Sequence, residues 1–152
     1  MRVAIAADHA GLPLKADLIE VIKDAGHEAL DLGTNDVDPV DYPDYAELAC
    51  EAVRSGKVDR AVILCGSGVG VGVVANKFPG IRAGVCHDHY SAHQGVEHDD
   101  MNVICLGGRI IGSEVAREIV ASFLRAKFSG EERHERRLNK TLSIETKFLK
   151  SK

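Results

Sequence analysis

The residues best suited to chemistry sit in one stretch, Val62-Ile63-Leu64-Cys65-Gly66-Ser67-Gly68-Val69-Gly70. An apolar, β-branched run ends at a cysteine and opens into alternating glycines around a hydroxyl residue. A buried strand reads this way when its chain must turn sharply and present bare backbone amides to an anion. Two readings follow. One is a catalytic or anion-binding loop with a thiol at its mouth; the other is a tight strand-to-helix turn with a core cysteine at its edge. Nucleotide binding is disfavoured. The P-loop pattern needs a Gly-Lys-Ser/Thr ending that is absent, and the dinucleotide fingerprint belongs after the first strand of its unit, not the third.

In an open parallel sheet, ligands sit beyond the carboxyl ends of the strands. Asp8-His9, directly after the first apolar run, falls at that edge together with Cys65–Gly70. Asp8 alone also reads as a helix cap, and His9 as a loop histidine without a task. Their place opposite a glycine-cysteine loop favours a site. His87, His89, His93 and His98 form a cluster in sequence. His89 and His93 share a helix face at four residues' spacing, as metal ligands can, but no third ligand stands at a matching distance. Surface or interface histidines, and no metal, are expected. Arg133 and Arg137, with Arg136 and His134, make a basic face whose guanidinium forks suit phosphate; a solvated charged helix is the alternative.

Strands are expected at residues 2–7, 27–32, 61–65, 81–86 and 102–106. Between them, Pro13 suits a first helical turn, and Leu14, Leu18 and Ile22 give that helix an apolar face before Gly26 stops it. Residues 34–45 read as a polar loop holding Pro39, Pro43 and, near its end, Tyr42. Further helices are expected at 45–54, at 88–98, and from a Ser113 cap through about residue 128. The alternation implies right-handed βαβ units: an α/β, three-layer α/β/α Rossmann-like fold with a five-stranded parallel sheet, in a single domain over 1–152. From about residue 131 the chain turns strongly charged, as one or two short helices that are either solvated or packed on a partner subunit. His98 ends a crossover helix, which returns to the amino edge of the sheet. It should lie far from Cys65 within one subunit, so any part it takes in the site must come from a second chain.

Composition narrows the class. A length of 152 residues suits one domain, and 45% apolar with 28% charged residues is ordinary for a soluble globular protein. A net charge of -4 gives no reason to expect nucleic acid or an acidic membrane as partner. Cys50, Cys65, Cys86 and Cys105 lack paired spacing and suit reduced thiols. Met1 leads directly into the first strand, and no apolar run approaches the roughly 20 residues that span a bilayer. A soluble cytoplasmic protein is expected.

The combination Ala7-Asp8-His9-Ala10-Gly11, Asp41-Tyr42-Pro43, Cys65-Gly66-Ser67-Gly68-Val69-Gly70, Ala75-Asn76-Lys77 and Asn102-Val103 resembles the ribose-5-phosphate isomerase B family, which extends to galactose-6-phosphate and allose-6-phosphate isomerases. The resemblance covers essentially the whole chain, and its motifs are specific in combination. It implies a cofactor-free aldose–ketose isomerase that interconverts ribose 5-phosphate and ribulose 5-phosphate through an enediolate. Isomerisation of a six-carbon sugar phosphate and non-catalytic sugar-phosphate sensing are the alternatives. By resemblance, Cys65 abstracts the carbon-bound proton, and His98 of the neighbouring subunit opens the sugar ring. Asp8, His9, Tyr42, Gly66, Ser67, Gly68, Val69 and Gly70 match substrate-contacting positions, with Ser67 standing where threonine is also common. Asp99 stands where asparagine is common; an ionised carboxylate accepts hydrogen bonds but cannot donate them. Arg109, Arg133 and Arg137 match phosphate-binding arginines, with Arg136 a rival for Arg137. The implied assembly is a homodimer with shared sites, pairing into tetramers being left open. Loop amides and a following helix N-terminus favour the thiolate form of such a cysteine.

Overall fold

The computed structural model describes residues 1–149 of the chain. Five short runs form one parallel sheet: β1 (Arg2–Ala7), β2 (Glu28–Asp31), β3 (Arg60–Cys65), β4 (Ala83–Val85) and β5 (Val103–Gly107), in the order β2-β1-β3-β5-β4. Strands covered on both faces need no polar alternation, which is why β1, β3 and β5 read as continuous apolar runs. Helices α1 (Leu12–Asp24), α2 (Tyr42–Arg54), α3 (Val69–Ala75) and α4 (His89–Asp99) connect them in turn, and α5 (Ser113–Arg125) and α6 (Glu132–Leu149) follow β5. Successive side chains of a strand point to opposite faces. Accordingly Val3, Ile5, Val62, Leu64, Ile104 and Leu106 face α1, α4 and α5, in the larger half of the core. Ala4, Ala6, Ala61, Ile63 and Cys105 face α2 and α3. The architecture is three-layer α/β/α. None of the described helices is long and apolar enough to cross a membrane.

The chain leaves β1 to pair β2 on one side and β3 on the other, so the order of strands reverses between β1 and β3. That switch point is where the carboxyl-end loops splay apart and leave room for a ligand.

Several boundaries differ from the sequence expectation, each for a physical reason. Helix α2 starts at Tyr42, not Tyr45: Pro43 falls in its first turn, where its missing N–H is no loss, after an extended Asp41. The N-cap of α5 is Gly112, with Ser113 as the first helical residue and no side-chain cap. The same helix stops at Arg125, because Ala126 turns extended and the Arg60 guanidinium takes the carbonyls of Phe123 and Ala126. Edge strand β4 is only three residues long; Ile81 instead closes a turn onto the Phe78 carbonyl. The charged tail is one helix of 18 residues lying against α4, and its last three expected residues, 150–152, fall outside the described ones.

Candidate active site

Two loops leave neighbouring strands at the switch point and meet. The Asp8 amide donates to the Leu64 carbonyl at 3.2 Å, joining the ends of β1 and β3. Asp8 is buried, and its Oδ1 accepts the Ala10 and Gly11 amides at 2.9 and 2.8 Å. It therefore fixes the turn into α1 and also lines the cavity. A third loop closes the group: the Gly108 and Arg109 amides donate to the Cys65 and Gly66 carbonyls at 2.8 and 3.0 Å.

Together these loops enclose a cavity of about 420 Å³ lined by Asp8, His9, Tyr42, Cys65, Ser67 and Arg109, with Gly66 and Gly70 in its floor. Cys65 is 5% exposed, and its Sγ accepts the Gly68 amide at 3.1 Å. Gly68 makes that donor possible, since its φ of 78° belongs to the left-handed region that glycine enters freely. Ser67 Oγ accepts the Val69 amide at 3.2 Å, so the hydroxyl is held at the start of α3. Gly68 and Val69 do not line the cavity: Gly68 caps α3, and exposed Val69 is its first residue. The Tyr42 ring packs over Gly70, where no Cβ intervenes. Arg109 is exposed, and its guanidinium has no hydrogen-bond or ion-pair partner among the described residues.

His9 is oriented from outside the loop that carries it. Its Nδ1 accepts the Val40 amide at 3.2 Å, which leaves Nε2 as the protonated nitrogen of the neutral ring. The segment holding Val40 is itself anchored by Lys15. That buried ammonium donates to Asp31, to the Thr34 carbonyl and to Asn35 Oδ1 at 2.9, 2.8 and 2.6 Å. Neither tie is visible in sequence spacing, as each joins residues about twenty or thirty positions apart.

The other cysteines lie in a different environment. Burial, reinforced by Glu51, pushes the Cys50 thiol up to about 12. Burial, reinforced by Asp88, pushes Cys86 up to about 11, and burial likewise raises Cys105. All three are protonated core thiols at neutral pH; Cys65 alone of the four lines the cavity.

His98, Asp99, Arg133 and Arg137 are not brought to this cavity. The sheet register accounts for it: Cys65 pairs Gly107, whereas α4 ends just before Val103, which pairs Ala61 at the opposite edge. Four rungs, roughly 13 Å of strand, separate the two edges. Asp99 is exposed and lines a second groove, of about 640 Å³, between α4, β4 and α6. Arg133 bonds Glu131 at 2.8 Å at the start of α6; Arg136 and Arg137 are exposed. The expected basic face is corrected in one member: His134 is buried at 1% exposure and stacks on His98 with centroids 4.0 Å apart. His89 and His93 are engaged by Glu118 and Glu97 at 2.9 and 3.2 Å. Among the described residues no three His, Cys, Asp or Glu side chains converge as metal ligands do.

A cavity with a thiol, an amide directed at it, an imidazole, a carboxylate and an unpaired guanidinium can bind an anion and move a proton. Comparison with known proteins finds sugar-phosphate isomerases. The Ribose/Galactose Isomerase family model matches residues 3–141. Ribose-5-phosphate isomerase B of Escherichia coli is 40% identical over 144 residues, covering 95% of this chain and 96% of its own. A galactose-6-phosphate isomerase subunit of Clostridium acetobutylicum is 41% identical over 84% of this chain and 74% of its own. Among solved structures, type B ribose 5-phosphate isomerase of Trypanosoma cruzi superposes with a TM-score of 0.94 at 44% identity, over 97% of this chain and 99% of that one.

Proposed function

This chain belongs to the ribose/galactose isomerase family, and from that premise we propose that it interconverts ribose 5-phosphate and ribulose 5-phosphate with Cys65 as the base. The observation that carries the reading is the Gly68 amide donating to Sγ of a cavity-lining cysteine. A thiolate accepts that bond more strongly than a thiol does, so the loop supports the anion that a base must become.

In this reading the open-chain sugar lies with the carbon next to its carbonyl against Sγ. The thiolate takes the carbon-bound proton, charge develops on the carbonyl oxygen, and an enediolate forms. Returning the proton to the adjacent carbon completes the isomerisation. Preorganised donors at the developing oxyanion contribute the most to a step of this kind. The His9 Nε2–H and the Ser67 hydroxyl are side-chain donors in the cavity, beside the amides of the Gly66–Gly70 loop. Arg109 supplies one unpaired guanidinium for the phosphate, and Arg133, which in this chain holds Glu131, and the exposed Arg137 supply two further cations from a second chain. Holding a remote phosphate converts binding energy into alignment of the reacting carbon.

Ring opening falls to His98 of a second copy, which places half of the site across a homodimer. Two features support such an assembly. His98 sits at the wrong sheet edge to serve its own chain's Cys65. Exposed Val69, Val73 and Val85 form an apolar stripe on α3 and edge strand β4, beside the cavity.

Replacing Cys65 with Ala tests the assignment. Exchange of the substrate's C2 proton with solvent should vanish while phosphate-dependent binding persists; near-normal exchange would refute Cys65 as base. A six-carbon sugar phosphate is the second reading, favoured by the Clostridium acetobutylicum relative, and turnover of ribose 5-phosphate against allose 6-phosphate separates the two.

A further inference from the structure

His134 is buried, and its Nε2 has no hydrogen-bond partner among the described residues. Such orphaned polar atoms are uncommon and call for an explanation. Its ring lies flat on His98, with 24° between the planes. The stack is built, not incidental. His134 Nδ1 lies 2.6 Å from Ser129 Oγ, which also accepts the Glu131 amide, and the Ser129 amide donates to the Glu97 carbonyl at 3.0 Å. The connection between α5 and α6 is thereby stapled to the end of α4, one residue from His98. From the other side the Gln94 amide engages His98 Nδ1 at 2.8 Å, one helical turn earlier. His98 is clamped on one face and one edge, and Nε2 is the nitrogen left for substrate.

We propose that His134 is a positioning residue for sugar-ring opening: a flat platform that, with the Gln94 clamp, holds the His98 ring so that its Nε2 meets the cyclic substrate. The proposal rests on the reading in which His98 opens the ring. Opening a furanose breaks the bond between C1 and the ring oxygen; the anomeric hydroxyl loses a proton, the ring oxygen gains one, and C1 becomes an aldehyde. Nε2 can take the hydroxyl proton and return it to the ring oxygen, leaving His98 unchanged. Such a relay needs a ring that cannot swing or tilt between the two oxygens. Burial first, then the neighbouring His98 and the Arg133 and Arg137 cations, hold His134 below the usual histidine range. The platform is thus neutral at neutral pH and does not compete with His98 for the transferred proton.

The two directions of the reaction separate positioning from mere folding. Ribose 5-phosphate is cyclic and must be opened. Ribulose 5-phosphate has its only ring-closing oxygen esterified and is open-chain, so exchange of its C1 proton in heavy water bypasses ring opening. That exchange still needs Cys65 and the phosphate-binding arginines of α6, and so reports an intact site. His134→Ala, which leaves His98 in place but loosely held, should lower kcat/KM for ribose 5-phosphate by roughly tenfold to a hundredfold, at most the low end of what the acid–base group itself contributes, while exchange on ribulose 5-phosphate stays near wild type. His134→Phe, flat and uncharged, should restore most of the forward rate. Parallel loss of both activities in His134→Ala would make the residue merely structural and overturn the proposal. An unaffected forward rate, or a Phe variant as slow as the Ala variant, would overturn it too. Absence of either activity in the wild-type protein is a different failure, that of the underlying functional reading.

Discussion

Replacing Gly68 with Ala perturbs the proposed base without touching it. At φ 78° a residue bearing a Cβ pays about 1–2 kcal/mol for the left-handed conformation. The added Cβ would also stand 3.0 Å from the Leu106 carbonyl carbon and 3.2 Å from the Gly107 nitrogen. These are backbone atoms of β5, fixed by pairing with β3, and they cannot rotate aside. Relief must come from the Gly68 peptide, whose amide is the donor to Cys65 Sγ at 3.1 Å. A hydrogen bond to an ionised acceptor is worth about 1.5–3 kcal/mol. At about 1.4 kcal/mol per factor of ten, its loss should slow proton abstraction by roughly tenfold to a hundredfold. Urea unfolding should show a loss of about 1–2 kcal/mol. Deuterium incorporation into ribulose 5-phosphate, followed by NMR, should show the slower exchange. Gly70→Ala is the control: its Cβ would meet the Tyr42 ring first, at 2.9 Å, and a side chain at the cavity rim can turn away. That variant should change KM more than exchange. A Gly68→Ala protein with normal stability, or one destabilised but exchanging at the wild-type rate, would refute the role given to the loop.

Three further outcomes follow from the same structure. Lys15→Met strips the donor from Asp31, Thr34 and Asn35, and should cost about 1–3 kcal/mol in urea unfolding while raising KM through the loop that orients His9. Asp88 caps α4 by accepting the Ser91 amide at 2.8 Å, and this bond holds its carboxyl below the usual carboxylate range. Its stabilisation is therefore present above the unfolded carboxylate pKa and lost as pH falls through the depressed one, so Asp88→Ala should lower Tm at neutral pH by a margin that closes in acid. Finally, a small alkylating reagent on the native protein should modify Cys65 first, and a phosphorylated sugar should protect it. Prior labelling of Cys50, Cys86 or Cys105, read by peptide mass, would contradict the contrast drawn between the four thiols.

The central strands were legible because burial on both faces writes an unbroken apolar run, as in residues 61–65. The ends of elements were not, where the stop signal lies far away in the chain. Arg60 caps the end of α5 from more than sixty residues off, and nothing near residue 126 announces it. Pro43 is ambiguous in sequence, since proline breaks a helix interior but suits its first turn, and here it starts α2. That Asp8-His9 and the Cys65 loop share one cavity could be read from the sequence, because both follow strands that flank the switch point. The ties that orient those groups, Val40 to His9 and Lys15 to Asn35, are tertiary and leave no periodic trace. Proximity in sequence groups His134 with Arg133. Successive helical residues point about 100° apart, and that turn carries His134 inward onto His98 while Arg133 stays in solvent.

The central claim is that a site begun by Cys65 of one chain is completed by His98 of another. Subunit complementation measures it directly. Cys65→Ala and His98→Asn proteins, each inactive alone, are unfolded together, refolded as a mixture and assayed with ribose 5-phosphate. Random pairing in a two-fold dimer makes half of the molecules mixed, each with one site of two wild-type halves, so about a quarter of wild-type activity should return. No recovery, in a mixture shown to contain mixed dimers, would place Cys65 and His98 in the same chain's site and contradict the account.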